Sequence, residues 1–148
     1  MGSQLAERGE LGAAETLLLA SAAREPRAFR VWTALCFTHL RQGRLVEAEA
    51  DCRKTLALNA RNPRAWVNLA SVYVNSGKWA LALASARRAV SLKPGYAEAH
   101  YLAAVSSANL GQLDVASQEL WIGRNLDPSH RGLLSLEAQM KRRGPPAP

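Results

Sequence analysis

Apolar side chains recur at intervals of three and four residues along most of the chain, with polar residues between them. Trp66, Leu69 and Tyr73 show the pattern, because this spacing brings side chains to one face of a helix. The segments that carry it are about 12 to 15 residues long, which is an ordinary helix length. The pattern predicts an all-α fold made of short amphipathic helices.

The same residue types return at a fixed period of 34 residues. Three columns show this period: glycines at Gly9, Gly43, Gly77 and Gly111, alanines at Ala14, Ala48, Ala82 and Ala116, and prolines at Pro26, Pro94 and Pro128, with Ala60 in the missing place. A glycine between two apolar segments ends one helix and lets the chain turn back. The alanines keep paired helices close together, and the prolines stop the second helix of a pair. The period therefore predicts antiparallel helix pairs, one in each repeat.

The best-preserved unit places large and small residues at defined intervals. It reads Trp66, Leu69, Ala70, Tyr73, Gly77, Trp79, Ala82, Ala86, Ala89, Leu92 and Pro94. This unit resembles the tetratricopeptide repeat, whose signature has Trp, Leu, Gly, Tyr, Ala, Phe and Pro at these intervals. The departures are mild: Ala70 and Cys36 replace the small glycine, His100 replaces the tryptophan, and Ala86 and Cys52 replace the large aromatic residue.

The resemblance covers nearly the whole chain and implies a right-handed solenoid of antiparallel helix pairs. We expect a partial repeat at 1–28 with its second helix at 11–23, repeats at 29–62, 63–96 and 97–130, a capping helix at 131–143, and a disordered tail at 144–148. Counting back from Gly9, the first helix of the partial repeat would begin about eight residues before Met1. We therefore expect a longer natural chain or an artificial start at residues 1–3, with the helix at 11–23 acting as the amino-terminal cap.

The composition of the chain limits which partners and which cellular compartment are expected. Hydrophobic residues make up 48% and charged residues 21% of the chain, which is a globular balance, and the net charge of +7 favours acidic partners without defining a site. Residues 1–15 do not form a secretory signal. No apolar stretch, including 17–23 and 80–86, reaches the roughly 18 residues that a membrane helix needs. With only two cysteines, Cys36 and Cys52, we expect a cytoplasmic protein in a reducing compartment.

The sequence offers little catalytic or metal-binding chemistry. It has no Gly-rich phosphate loop, Cys-x-x-Cys pair, His-Glu-x-x-His run or Gly-x-Ser-x-Gly elbow. Cys36 and His39 would be neighbours on one helix, as a nucleophile and its base can be, but both occupy packing positions of the repeat. His100 occupies the tryptophan position, and it has no metal-ligand spacing to His130. We expect a non-enzymatic chain with no metal and no cofactor.

In proteins similar to this one, the first helices of successive pairs line a concave surface that receives a peptide. Projecting this sequence onto that arrangement gives Arg30, Thr33, Phe37 and Leu40, then Arg64, Val67, Asn68, Ser71, Val74 and Asn75, and then Glu98, Tyr101, Leu102, Val105 and Asn109. The lining is apolar with a few amides, so we expect it to bind an apolar surface of a partner protein or peptide.

Asn68 is the strongest candidate contact in this groove. In several families of similar repeats an asparagine at its position bonds the backbone of a bound peptide, because the amide both donates and accepts. The alternative is an exposed amide without a partner. The variety that holds a terminal carboxylate uses Lys, Asn, Asn, Lys and Arg, and only Asn68 matches it, the other positions being Thr33, Phe37, Glu98 and Leu102. Binding of a carboxyl-terminal tail in that way is therefore disfavoured.

The second helices predict a basic stripe. Arg53 and Lys54 recur 34 residues later as Arg87 and Arg88. The stripe is either a solvated face or a contact for an acidic partner or nucleic acid. Nucleic acid is disfavoured, because no aromatic residues interleave with the stripe as they do in proteins that bind single strands.

In the third repeat the positions of the stripe hold Trp121 and Ile122 instead. Apolar residues in place of a basic pair indicate that something covers them, either the capping helix or a second interface with another chain or domain. An uncapped end of the array can also accept a repeat from a second copy, so self-association is an open alternative.

The leading interpretation is a protein-interaction module, a scaffold or adaptor whose concave groove holds a peptide or helix of a partner. One alternative is a repeat segment that selects substrates for a longer enzyme, such as a transferase. The other is a structural subunit that assembles through its ends.

Overall fold

A computed structural model describes the chain from residue 2 to 143, with side chains from residue 7 onward. The described part forms α1 (Gly2–Arg24), α2 (Phe29–Arg41), α3 (Leu45–Leu58), α4 (Pro63–Asn75), α5 (Trp79–Leu92), α6 (Ala97–Asn109), α7 (Leu113–Leu126) and α8 (Arg131–Arg143). No strand occurs between residues 2 and 143, and the prediction of an all-α fold is confirmed. The expected disordered tail at 144–148 lies outside the described residues.

The helices pack as antiparallel pairs that stack into a solenoid. α2 packs on α3, α4 on α5 and α6 on α7, and the pairs join through contacts of α3 with α4 and of α5 with α6. The first helices of the pairs also touch one another, α2 with α4 and α4 with α6. Stacking buries the apolar side that an isolated pair would leave in water. α1 covers α2 at one end, and α8 covers α6 and α7 at the other.

Three glycines of the 34-residue column end the first helix of a pair. Gly43, Gly77 and Gly111 have φ angles of 77°, 70° and 77°, in the left-handed region where a side chain is unfavourable. In each turn the residue after the glycine donates its N–H to a carbonyl oxygen five residues earlier, at 2.9 Å in all three cases. The glycine column therefore produces the hairpins that the sequence predicts.

The fourth glycine of the column does not turn the chain. Gly9 lies inside α1, so the prediction of a separate second helix at 11–23 is wrong, and one helix runs from Gly2 to Arg24. A glycine permits a turn but does not enforce one, and the other hairpins are held by two packed helices of 13 or 14 residues. Here a single helix packs against α2, with Glu7 paired to Arg41, and helical geometry continues through Gly9 at a cost of about 1 kcal/mol.

The alanine column marks the closest approach of the paired helices. Ala48, Ala82 and Ala116 are fully buried, as expected for positions where a larger side chain would push the helices apart. Two apolar clusters surround the shared helix pair α4–α5. The first contains Cys36, Ala48, Cys52, Leu69, Val72, Tyr73 and Ala82, and the second contains Val67, Ala70, Leu83, Ala86, Ala89, Ala99, Leu102 and Ala103.

The tryptophan position ties each first helix to the turn before it. Its ring nitrogen donates to a carbonyl oxygen six residues earlier: Trp32 to Pro26 at 2.8 Å, Trp66 to Ala60 at 2.9 Å, and His100 to Pro94 at 2.7 Å. Because a carbonyl oxygen only accepts, Nε2 of His100 carries the hydrogen. His100 is 3% exposed, and its predicted packing role is confirmed.

The two cysteines form a disulfide between α2 and α3, which the sequence pattern does not predict. The Sγ atoms of Cys36 and Cys52 are 2.01 Å apart, with Cα atoms at 5.3 Å, and both residues are fully buried. They lie 16 positions apart in the chain, but the hairpin folds one position against the other. The inference of a reducing compartment rested on the lack of a dense, even cysteine spacing, and a disulfide between the two cysteines counts against it.

Candidate functional site

A groove lies between α2 and the start of α4, and we call it the α2–α4 groove. It has a volume of about 550 Å³ and is lined by Phe29, Arg30, Thr33, Ala34, Phe37, Thr38, Asn59, Arg61, Asn62, Pro63 and Arg64. Four predicted contacts, Arg30, Thr33, Phe37 and Arg64, therefore come together. Phe37 keeps 41% of its surface exposed within this groove, which leaves its ring free to contact a ligand.

Hydrogen bonds fix the polar wall of the α2–α4 groove. The hydroxyl of Thr33 donates to the carbonyl oxygen of Phe29 at 2.9 Å, and the amide of Asn62 donates to that hydroxyl at 3.3 Å. The side-chain oxygen of Asn62 accepts from the backbone N–H groups of Arg64 and Ala65, at 3.1 and 3.3 Å, and so caps α4. The neutral polar groups of this wall are therefore already paired.

Asn68 lies one helical turn beyond Arg64 on α4, about 6 Å along the helix and on the same face. It is 6% exposed, and its Nδ2 atom is buried with no hydrogen-bond partner. Among the described side chains only Nε of Arg124 shares this condition. Asn68 is therefore not the exposed amide of the alternative interpretation, but a buried donor without an acceptor.

Some of the predicted contact residues pack into the apolar core. Val67 is 4% exposed and Leu102 is 2% exposed, and both belong to one apolar cluster. Leu40 packs against the neighbouring cluster. The projection places these residues on the first helices, but they pack into apolar clusters that include side chains of the second helices α3 and α5. Little of the surface of Val67 and Leu102 is left for a ligand, whereas Leu40 is partly exposed.

The amides near the ends of the first helices are exposed. Asn75 donates to the carbonyl oxygen of Ser71 at 2.8 Å, and Asn109 donates to that of Val105 at 2.9 Å. Ser71, Val74 and Val105 are partly exposed beside them. These residues extend the candidate surface beyond the α2–α4 groove, and their binding role stays a prediction.

The start of α8 packs against the ring of Tyr101. The rings of Tyr101 and His130 lie 5.1 Å apart, and a Cβ added to Gly132 would meet the tyrosine ring at 2.7 Å. Nε2 of His130 also lies 2.5 Å from a carboxylate oxygen of Glu98. Burial raises the pKa of the Tyr101 hydroxyl. Two residues of the predicted groove therefore hold the capping helix in place.

A second groove lies between α7 and α8 and was not predicted. It has a volume of about 640 Å³ and is lined by Ala108, Asn109, Leu113, Asp114, Ser117, Leu120, Leu136, Glu137, Gln139, Met140, Lys141 and Arg143. The amphipathic pattern of the capping helix indicates that one of its faces packs. It does not indicate how much of that face α7 leaves open.

The basic stripe is partly bound to tryptophan rings. Nζ of Lys54 lies 4.1 Å from the centre of the Trp32 ring, and Cζ of Arg88 lies 5.5 Å from that of Trp66. A cation over an indole face is attracted by the ring. The expectation that no aromatic residue accompanies the stripe is wrong, because the tryptophans reach it from the first helices.

Trp121 is 69% exposed and Ile122 is partly buried. The capping helix therefore does not cover Trp121, which was one of the two explanations for its position. The role of this pair in a second interface stays a prediction.

The nucleophile–base pair considered from the sequence is absent. Cys36 is in the disulfide, and His39 is 5% exposed between two carboxylates, with Nδ1 at 2.5 Å from Asp51 and Nε2 at 3.1 Å from Glu15. Hydrogen bonds from His39 and Arg44 lower the pKa of Glu15 to about 2, whereas burial raises the pKa of Asp51. This cluster joins α1, α2 and α3, so the packing interpretation of His39 is confirmed.

Other chemistry is equally sparse between residues 2 and 143. No three His, Cys, Asp or Glu side chains in that range group as a metal site requires. None of the helices described there has both the length and the apolar character to cross a membrane. The grooves and exposed side chains are the candidate functional features.

The profile of the tetratricopeptide repeat family matches residues 1–63 and 67–120, which is most of the chain. The chain belongs to the tetratricopeptide repeat family. The expected repeat identity is therefore confirmed, and the hairpin turns, the alanine column and the tryptophan hydrogen bonds are the structural form of the family signature. No curated protein matches the sequence.

Solved structures share the tetratricopeptide fold. The first such domain of Spaghetti (RPAP3), bound to the HSP90 peptide SRMEEVD, is 22% identical with a TM-score of 0.74, over 78% of this chain and 91% of that one. MamA is 19% identical with a TM-score of 0.81, over 97% and 85% of the two chains. A thermophilic protein of Thermus thermophilus is 24% identical with a TM-score of 0.79, over 95% and 80%. These likenesses confirm the solenoid fold.

Proposed function

We propose that this tetratricopeptide repeat protein is an interaction module whose concave surface binds an extended or helical peptide of a partner protein. The α2–α4 groove provides the apolar contact through Phe37, and Asn68 bonds the peptide backbone. The observation that carries the proposal is the buried Nδ2 atom of Asn68 without an acceptor.

The energetic argument concerns this unpaired donor. A buried polar group without a partner costs about 1–3 kcal/mol, and a ligand that supplies the partner recovers that cost. Peptide carbonyl oxygens are suitable acceptors, and the proposal requires the Asn68 side chain, which is 6% exposed, to turn its N–H toward one. The Spaghetti domain holds a short peptide on the same fold, which supports the proposal.

The test is a peptide selection followed by affinity measurement. Random short peptides are displayed and selected against the wild-type chain, and the dissociation constant of the best binder is measured by fluorescence polarisation. We expect Asn68→Ala and Phe37→Ala each to weaken binding about tenfold, which corresponds to about 1.4 kcal/mol. Asn125→Ala is the matched control, because Asn125 is an exposed amide on α7. The same dissociation constant in all four proteins would refute the proposal.

The proposed binding role includes no catalytic step, since Cys36 is held in a disulfide and His39 is buried. The cytoplasmic location, the exclusion of nucleic acid and the link to a longer enzyme stay predictions.

Self-association is a second candidate function, and the 69% exposure of Trp121 favours it. Light scattering at rising concentration tests it: a mass that grows for the wild type but not for Trp121→Ala supports association through this residue, and a constant monomer mass rejects it.

A further inference from the structure

The α2–α4 groove contains three arginines that have no acidic partner. Arg30, Arg61 and Arg64 line it, and all three are exposed. None of them forms an ion pair with a carboxylate within 4.0 Å among the described residues. Most arginines in the described part of this basic chain are unpaired, but three of them come together here, and no Asp or Glu is among the residues that line the groove. The positive charge of this groove is therefore uncompensated.

Aromatic rings help to position two of these guanidinium groups. Cζ of Arg30 lies 5.9 Å from the centre of the Phe29 ring, and Cζ of Arg64 lies 5.9 Å from that of Phe37. An arginine near an aromatic face keeps the N–H donors at its edge free for a planar acceptor. No side-chain hydrogen bond of either arginine occurs within the described structure, although each guanidinium has five donors.

The helix end in the groove does not supply the anion site by itself. The N–H groups of Arg64 and Ala65 at the start of α4 are already bonded to Asn62. The helix dipole adds a weak positive potential, but the free donors belong to the arginine side chains. The donors in this groove that remain available to an anion are therefore the guanidinium groups.

We propose that the α2–α4 groove binds the side-chain carboxylate of an Asp or Glu in the partner peptide, with an apolar neighbour of that residue packed on Phe37. The inference rests on the proposed function and adds the class of ligand. Bidentate contact with arginine suits a carboxylate, and the uncompensated charge is complementary to it. Asn68 is about 6 Å further along α4, within reach of the same peptide.

A side-chain carboxylate fits better than a chain terminus. The positions that hold a terminal carboxylate in similar repeats carry Thr33, Phe37, Glu98 and Leu102 here, and none of them is basic. Glu98 is also held by His130, so this position of α6 offers a carboxylate and not a cation to a chain terminus. Arg30 lies on α2, so an acidic residue of the ligand that contacts it is oriented toward α2.

The experiment is a peptide display in which the carboxyl ends are tethered, so that no terminal carboxylate is available. Selection is run on the wild type, on Arg30→Gln/Arg64→Gln, and on the charge-matched control Lys78→Gln/Arg142→Gln, whose side chains are exposed outside both the groove and the basic stripe. We expect Asp and Glu to be enriched at least about twofold for the wild type and the control, and not for the groove variant. The best acidic peptide, synthesised with Glu or with Gln and with a free or an amidated end, should bind about tenfold more weakly after the Glu to Gln exchange only.

The outcomes separate the inference from the proposed function. Acidic peptides that bind the groove variant as tightly as the wild type overturn the inference. Selected peptides that depend on Asn68 but show no acidic preference overturn the inference and leave the proposed function standing. A loss of affinity on amidation moves the site to a terminal carboxylate and also overturns it. If no peptide is selected at all, the proposed function fails and the inference fails with it.

Discussion

The indole N–H of Trp66 donates a hydrogen bond to the carbonyl oxygen of Ala60, at 2.9 Å. The bond fixes the start of α4 to the turn that precedes it. The same position bonds the same backbone site in the neighbouring repeats, through Trp32 and His100. The tryptophan of the repeat signature is therefore a polar anchor as well as an apolar side chain.

Trp66→Phe removes this hydrogen bond and keeps most of the ring. We expect the free energy of unfolding to fall by about 1 kcal/mol, and by about 3–5 kcal/mol for Trp66→Ala, measured by urea denaturation. Trp121→Phe is the matched control, because Trp121 is 69% exposed and should lose nothing measurable. Equal losses for the two Trp→Phe variants would contradict the anchoring role.

The disulfide should stabilise the first helix pair. Cys36 and Cys52 lie 16 positions apart, and closing a loop of this size contributes about 3 kcal/mol by restricting the unfolded chain. We expect a reducing agent to lower the urea midpoint of the wild type and to leave that of Cys36→Ala/Cys52→Ala unchanged. Free thiols detected by mass spectrometry in the protein purified without reductant would show that the bond is not present.

Glu15 should make stability depend on acid pH. Its pKa is about 2 in the folded protein against an ordinary value of 4.5, so the folded state favours the carboxylate. That contribution is complete above the ordinary value and is lost as the pH falls from about 4.5 towards 2. We expect Glu15→Gln to cost about 1 kcal/mol at pH 6, and the difference from the wild type to shrink towards pH 2.

The control for this pH dependence is Glu10→Gln, an exposed residue on the same helix with no ion pair in the described structure. Thermal unfolding of the three proteins between pH 2 and pH 6 provides the measurement. Asp51 has the opposite shift, with a raised pKa, but it is present in all three proteins. A difference between Glu15→Gln and the wild type that stays constant with pH would argue against the role of the carboxylate.

Gly132 should be required for the seating of α8. A Cβ at this residue would lie 2.7 Å from the Tyr101 ring, so Gly132→Ala must displace the ring or the helix. We expect a loss of about 1–3 kcal/mol and faster amide exchange in α8. Gly95→Ala is the control, since a Cβ there meets nothing within 4 Å. Identical exchange in the two variants would show that α8 adapts without strain.

The fold was predictable because it is repeated. One glycine could have been an accident, but Gly43, Gly77 and Gly111 share a period and all three turn the chain. Gly9 shares that period and does not turn, because a hairpin also needs two helices that pack. The periodic pattern shows where the backbone is able to turn, and the packing of the two flanking helices determines whether a turn forms there.

The candidate site was less predictable than the fold. Projection onto the first helices found Arg30, Phe37 and Arg64, but it missed Arg61, which lies in the connection before α4. The position of Asn68 was evident from the repeat, whereas its lack of a hydrogen-bond partner depends on side chains from neighbouring helices. The pairing of Cys36 with Cys52 likewise depends on how closely one hairpin closes.

Each ring at the tryptophan position finds its side-chain partner inside its own repeat. Trp32 has Lys54 and Trp66 has Arg88, whereas His100 faces Glu119, with Nδ1 at 2.6 Å. The hydrogen bond from the previous repeat is accepted by a backbone carbonyl, which any amino acid provides. Whole repeats of this chain are thus transferable parts: a designer could duplicate or reorder them at the 34-residue boundaries without breaking these pairs, while a cut inside a repeat would separate them.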